Sequence, residues 1–199
     1  MTAPTYPIQI RRGRTFSQAY LYASDKLVYK PITAMPSQAP VRLTVTEHGV
    51  PDQWPIMVSG VKNPYQLNTR DCEYRVATVV DADTLELNDA NALDWKAFSP
   101  VSGVVVYNEP APLDAWEARA QVRDRVGGNL LFTWSSNPAS NADGVITIDG
   151  AVLTLTIDAT KTAGFTWHTG VYDIEVELNG EVRTIIATSA VEVLGEVTT

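Results

Sequence analysis

An all-β fold is expected for this 199-residue chain: a discontinuous antiparallel immunoglobulin-like β-sandwich with an inserted small β-barrel-like domain. Three observations lead to it. Short segments alternate apolar and polar residues, turn-forming residues recur about every ten positions, and the strand patterns at the two ends complement each other better than either suits the centre. The clearest alternation is Trp116-Glu117-Ala118-Arg119-Ala120-Gln121-Val122-Arg123. Trp116, Ala118, Ala120 and Val122 share one face of a strand, and Glu117, Arg119, Gln121 and Arg123 share the other. Its best partners are Tyr6 to Ile10 and Thr15 to Tyr22 at one end, and Leu153 to Ile157, Tyr172 to Leu178 and Val182 to Thr188 at the other.

Taken in order, the chain opens with a strand at Tyr6 to Ile10, a basic turn Arg11-Arg12-Gly13-Arg14 bent at Gly13, and a second strand from Thr15 to Tyr22. Prolines in Met35-Pro36-Ser37-Gln38-Ala39-Pro40 deny backbone donors, as expected of an interdomain crossing. A second proline passage, Asn108-Glu109-Pro110-Ala111-Pro112, brackets the centre. The expected division is therefore 1–37 and 111–199 as the discontinuous sandwich, with 38–110 as the insert.

Inside the insert, Val41, Leu43 and Val45 alternate with polar residues, and His48-Gly49-Val50-Pro51-Asp52 turns the chain. Trp54 to Val58, Tyr74 to Val80, Thr84 to Leu87 and Val104 to Tyr107 follow as strands. Only Asp89 to Lys96 has helical character, over little more than two turns. In the C-terminal part, Gly127-Gly128, Ser135 to Gly144 and Asp149-Gly150 separate strands at Leu130 to Trp134, Val145 to Ile148 and Leu153 to Ile157. Tyr172, Ile174, Val176 and Leu178 form an inward face, and Asn179-Gly180 is a strong hairpin signal because both central residues of a type I′ turn need positive φ.

Charge and composition narrow the function classes. With 15 Lys and Arg against 23 Asp and Glu, the formal charge of −8 repels phosphate backbones, so nucleic acid is not an expected partner. No apolar run approaches the roughly 20 residues of a membrane span, so no membrane association is expected. The N-terminal residues lack the charged region and apolar run of a secretory signal, so export by that route is not expected. The single cysteine, Cys72, excludes an intrachain disulfide and a Cys-based zinc site.

No catalytic constellation emerges. Asp71 and Glu73 flank Cys72 and oppose thiolate formation, and His48 and His168 lie far apart in turn-like sequence, expected at turns or the surface. No Gly-x-Ser-x-Gly elbow occurs. Asp81, Asp83 and the group Asn137, Asn141, Asp143 and Gly144 read as Asx-rich turns lacking a full calcium loop. Glu175 and Glu177 face the same way from one strand, on the solvated side. Trp54, Trp95, Trp116, Trp134 and Trp167 fill cores or interfaces, or alternatively line a sugar-binding platform. The one local reversal of the acidic field is Arg11, Arg12 and Arg14, which Arg119, Arg123 and Arg125 join if the first strands pair near the Trp116 strand. Arg11, Arg12, Arg14, Arg119 and Arg123 are the candidate partner-contact residues; the alternative is pairing with the chain's own acids.

Several segments resemble a known family. Arg12-Gly13-Arg14-Thr15-Phe16, Ala118 to Asp124, Thr162, the Gly170-Val171-Tyr172-Asp173-Ile174-Glu175 strand, and Val191-Glu192-Val193 with Gly195-Glu196-Val197-Thr198 are similar to the immunoglobulin-like domain of tailed-phage baseplate proteins, including upper-baseplate proteins of the BppU type. Arg14 stands where those proteins usually have an acid. The central segment, with Thr46-x-His48-Gly49-Val50-Pro51-Asp52, Val58-Ser59-Gly60-Val61 and Thr84-Leu85-Glu86-Leu87, resembles a small β module of phage structural proteins.

The resemblance implies a non-enzymatic structural subunit of the phage tail or baseplate. It would be made in the host cytoplasm, assembled into the virion as a homo-oligomer around a symmetry axis, and dock to other virion proteins without a cofactor or metal. A collar or capsid decoration protein and a carbohydrate-binding host-attachment module are the alternatives.

Overall fold

The computed structural model describes residues 3–195; Glu196, Val197 and Thr198 of the resembling segment lie outside the described residues. The strands in chain order are β1 Ile8–Arg11, β2 Phe16–Leu21, β3 Ala23–Pro31, β4 Ala34–Gln38, β5 Val41–Thr44, β6 Trp54–Ser59, β7 Arg75–Asp81, β8 Thr84–Leu87, β9 Val104–Pro110, β10 Glu117–Arg123, β11 Leu130–Ser135, β12 Gly144–Asp149, β13 Val152–Ile157, β14 Thr169–Leu178 and β15 Glu181–Leu194. The single α-helix among the described residues, α1, is Ala159–Ala163. The chain is all-β and divides into two units, one drawn from Met1–Tyr22 with Pro112–Thr199, the other from Ala23–Ala111.

The first unit joins both ends of the chain in one sheet, ordered β1-β15-β14-β10-β11-β12-β13-β2. Alternation sets its faces. Ala118, Ala120 and Val122 of β10 pair with Val176, Ile174 and Tyr172 of β14, and all six side chains are buried. Between β11 and β12 only Trp134↔Gly144 and Ser135↔Val145 pair, and there the sheet folds over to make the sandwich. Gly144 is required at that fold, because a Cβ would lie 2.5 Å from the Trp134 ring and 2.8 Å from the Thr156 carbonyl. The core between the layers includes Ile10, Trp134, Leu153, Leu155, Ile174 and Val193. The sandwich is not purely antiparallel: β1 runs parallel to β15, and β11 parallel to β12.

The second unit is antiparallel, ordered β3-β9-β6-β7-β8-β5-β4. β3 and β4 stand at opposite ends of that order yet are consecutive in sequence. Between them the Ile32 N–H donates to Gly103 O at 3.0 Å and the Thr33 N–H to Thr44 O at 2.9 Å. One chain segment thus pairs first with β9 and then with β5, which nearly closes the sheet into a barrel and removes most of its edges. Trp54, Ile56, Val58, Leu43, Leu85 and Val105 are buried in it.

Two expectations about this region are corrected. The insert begins at Ala23 rather than beyond residue 37, because residues 23–38 form β3 and β4 of the barrel. Pro36 sits at a register irregularity between Ala34 and Ser37 on an end strand, where a missing N–H disrupts no ladder bond. The segment Asp89 to Lys96 is not a helix: Ala92 N–H donates to Gln38 O, Ala90 O accepts from Val41, and the Asn91 side chain takes the Leu93 N–H. Those backbone groups serve the neighbouring strands instead of an i to i−4 ladder.

Candidate functional site

The arginines singled out from sequence fall into two separate groups. Neither β1 nor β2 pairs with β10: β1 lies beside β15, and β2 beside β13. With β15 and β14 between them, β1 and β10 are three strand spacings apart, about 14 Å. The expected joining of Arg11, Arg12 and Arg14 with Arg119 and Arg123 into one patch therefore does not occur.

Arg119 is held by its own sheet. Its Nε and Nη2 donate to Glu175 Oε2 at 3.1 and 3.0 Å, and Nη1 donates to Glu177 Oε2 at 3.0 Å. Register explains this, since Arg119 is directly opposite Glu175 on the outward face. The pair Glu175 and Glu177 is thereby bridged by a cation. A cleft of about 300 Å³ beside it is lined by Glu117, Arg119, Asn137, Ser140 and Glu177 among others. Arg123 donates to Gly128 O at 2.8 Å and to Gln121 Oε1 at 2.9 Å, which closes the Asp124–Asn129 turn. Arg125 lies 3.4 Å from Asp124.

Next to Arg123 is Asp173, whose carboxyl is pushed up from its ordinary value, first by burial and then by Glu175.

The turn between β1 and β2 presents the other group. Gly13 adopts φ 69°, which lets the chain reverse within three arginines. Arg11 and Arg14 are exposed, and among the described residues neither makes a side-chain ion pair. Arg12 is half-buried; its Nη2 donates to Trp167 O at 3.4 Å, and its Nε is buried without an acceptor. Thr162 Oγ1 donates to Arg14 O at 2.8 Å, so α1 with the exposed Lys161 packs against the same turn. The sequence reading did not foresee α1, whose five residues carry no amphipathic signal.

The remaining candidates settle as follows. Cys72 is exposed, at φ 62°. His168 is exposed, but His48 is buried, contrary to the expectation of a turn or surface histidine. His48 Nδ1 accepts from the Val50 N–H at 3.2 Å, which leaves Nε2 to donate to Asp81 O at 2.8 Å. Tyr107 Oη donates to the His48 carbonyl. This histidine is a structural tie between two turns. Trp54 is buried and donates to Asn108 O, so it cannot serve as a sugar platform. Trp134 is in the core, Arg183 covers the half-buried Trp116 at 4.6 Å, and the half-buried Trp167 leans on Phe165 at 4.9 Å.

Sequence reading missed a concentration of carboxylates in the barrel unit. The Glu47 N–H donates to Asp83 Oδ1 at 2.7 Å, Asp83 N–H to Asp81 Oδ1 at 2.9 Å, and Val79 N–H to Asp52 Oδ1 at 2.9 Å. These bonds lace the corner after β5 to the turn between β7 and β8, which brings Glu47, Asp52, Asp81 and Asp83 together on the surface. The Asp81 carboxyl is lowered from its ordinary value, first by the Asp83 N–H. Among the described residues no group of three or more His, Cys, Asp or Glu side chains is arranged to hold a metal ion. Among the described residues no helix is long and apolar enough to cross a membrane. No protein-family model and no curated protein matches the chain.

Proposed function

We propose that this protein is a non-enzymatic structural subunit of a bacteriophage tail or baseplate that docks to neighbouring virion proteins through its β domains, in several copies around a symmetry axis. The observation that carries it is the turn at Arg11, Arg12 and Arg14, a set of cations on an acidic chain without carboxylate partners among the described residues. An exposed basic turn on a negatively charged body is suited to steering onto an acidic neighbour. The outward face of the barrel adds an apolar surface. Leu27 and Tyr29 of β3 and Val76 of β7 are exposed, and Met57 and Pro55 of β6 are half-buried, with Pro55 opposite Val76. Exposed apolar surface of this kind marks protein contact sites.

Electron microscopy of the parent particle tests the role. Ordered copies of the chain in the tail or baseplate are the expected result; their presence only at the collar or capsid would move the role there, and their absence from the particle would remove it. The carbohydrate-binding alternative loses Trp54 to the core and keeps only the half-buried Trp95 and Trp167.

A further inference from the structure

Two surfaces of unlike charge stand out on different units of this chain. The first is the basic turn: Arg11, Arg12 and Arg14, with Lys161 of α1 packed beside them through the Thr162 to Arg14 hydrogen bond. It contains a buried donor, Arg12 Nε, with no acceptor among the described residues. The second is the corner of Glu47, Asp52, Asp81 and Asp83, four exposed carboxylates none of which forms an ion pair among the described residues. Three of them are fixed by backbone donors, so the charges are presented rigidly. They do not converge to hold a metal ion, which leaves a charged face and not a cation site.

Resting on the docking role above, we infer that the occupant of the Arg11–Arg14 turn is a second copy of this chain, which presents its Glu47, Asp52, Asp81 and Asp83 corner. Charge complementarity carries the inference: the two faces are opposite in sign and equal in number of charges, four against four, within a chain whose other surfaces repel each other at a net −8. A reciprocal pair of these contacts closes a two-fold dimer, whereas a one-way contact leaves one basic turn and one acidic corner free and extends into a ring or an open array.

Sedimentation of the full chain at low and high salt tests this, with Arg11→Glu/Arg14→Glu and Glu47→Lys as the variants. All three residues are exposed, and the Glu47 carboxylate makes no hydrogen bond or ion pair among the described residues; far-UV circular dichroism checks that each variant folds. The wild type is expected to exceed its monomer mass of 21.7 kDa at low salt and to return to it near about 1 M salt, where the screening length is about 3 Å. Each variant alone should associate at least about tenfold more weakly, and a mixture of the two should form heterodimers, because the intact turn of the Glu47→Lys protein meets the intact corner of the Arg11→Glu/Arg14→Glu protein.

A wild type that stays monomeric at low salt overturns the inference. So does an Arg11→Glu/Arg14→Glu protein that associates like the wild type. If the Glu47→Lys protein alone associates normally, the acidic corner is overturned as the complement. Should the wild type be monomeric while the double arginine variant drops out of purified particles, the docking role stands and only the second copy as occupant is lost.

Discussion

Tyr20 of β2 and Tyr172 of β14 join the two layers of the sandwich through their hydroxyls, 2.8 Å apart in the core. The Tyr172 hydroxyl donates onward to Tyr6 O at 2.6 Å, which assigns the order: Tyr20 donates to Tyr172, and Tyr172 donates to the strand-entry backbone. This relay ties the N-terminal segment to the C-terminal hairpin. Removing either hydroxyl should therefore act unequally. Tyr172→Phe leaves both the Tyr20 hydroxyl and the Tyr6 carbonyl without their partner and should lower stability by about 1–3 kcal/mol, whereas Tyr20→Phe removes only the first donor and should cost about 0.5–1.5 kcal/mol. Urea denaturation of the two variants measures the difference; equal losses would contradict the relay.

The same pair sets an alkaline limit. Burial raises both phenols in the folded protein, Tyr172 to about 12 and Tyr20 further still, with their mutual hydrogen bond adding to the Tyr20 shift. A folded pKa above the unfolded value means the native state holds its proton more tightly, so the contribution is complete below about pH 10 and declines as pH rises toward 12 and beyond. Stability measured from pH 8 to 12 should fall more steeply in the wild type than in Tyr20→Phe.

Asp173 behaves in the same sense at the acidic end. Its carboxyl is raised by burial and by Glu175, so its ionisation opposes folding as pH climbs through its folded value. Asp173→Asn should raise the thermal midpoint at neutral pH and have no such effect in acid, where the aspartate is already protonated. A midpoint unchanged at both pH values would refute this.

Gly144 is the position where the sandwich folds between β11 and β12. An added methyl would meet the Trp134 ring and the Thr156 carbonyl, neither of which is a flexible chain end. Gly144→Ala should destabilise by about 1–3 kcal/mol, read from denaturant midpoints, and should shift Trp134 fluorescence.

Arg119, already bonded to Glu175 and Glu177 on the surface, is expected to be dispensable for docking. Arg119→Ala should change stability by less than about 1 kcal/mol and leave association untouched, in contrast to Arg11→Glu/Arg14→Glu.

Strand positions were legible because alternation is a local signal: Ala118, Ala120 and Val122 face the core as their spacing requires, and Asn179 and Gly180 both take positive φ in the expected hairpin. The barrel's first strands were not legible. Pro36 and Pro40 read as a linker, and only the presence of β9 and β5 turns residues 23–38 into paired strand. His48 reads as a turn residue for the same reason, since the groups that satisfy its ring are Val50 nearby and Asp81 far along the chain.

The amino-acid sequence by itself determined that this protein is built of β-strands, where most of them lie, which faces turn inward, and that both chain ends belong to one discontinuous sandwich. Those properties follow from residue spacing and turn chemistry within a few positions. Tertiary structure decided the rest: that the insert starts at Ala23, that Arg119 and Arg123 are bound within their own sheet while Arg11, Arg12 and Arg14 stand apart, and that Glu47, Asp52, Asp81 and Asp83 gather at one corner. The physical reason is that strand pairing and charge neighbourhood depend on hydrogen-bond partners tens of residues away, and no local pattern names the partner.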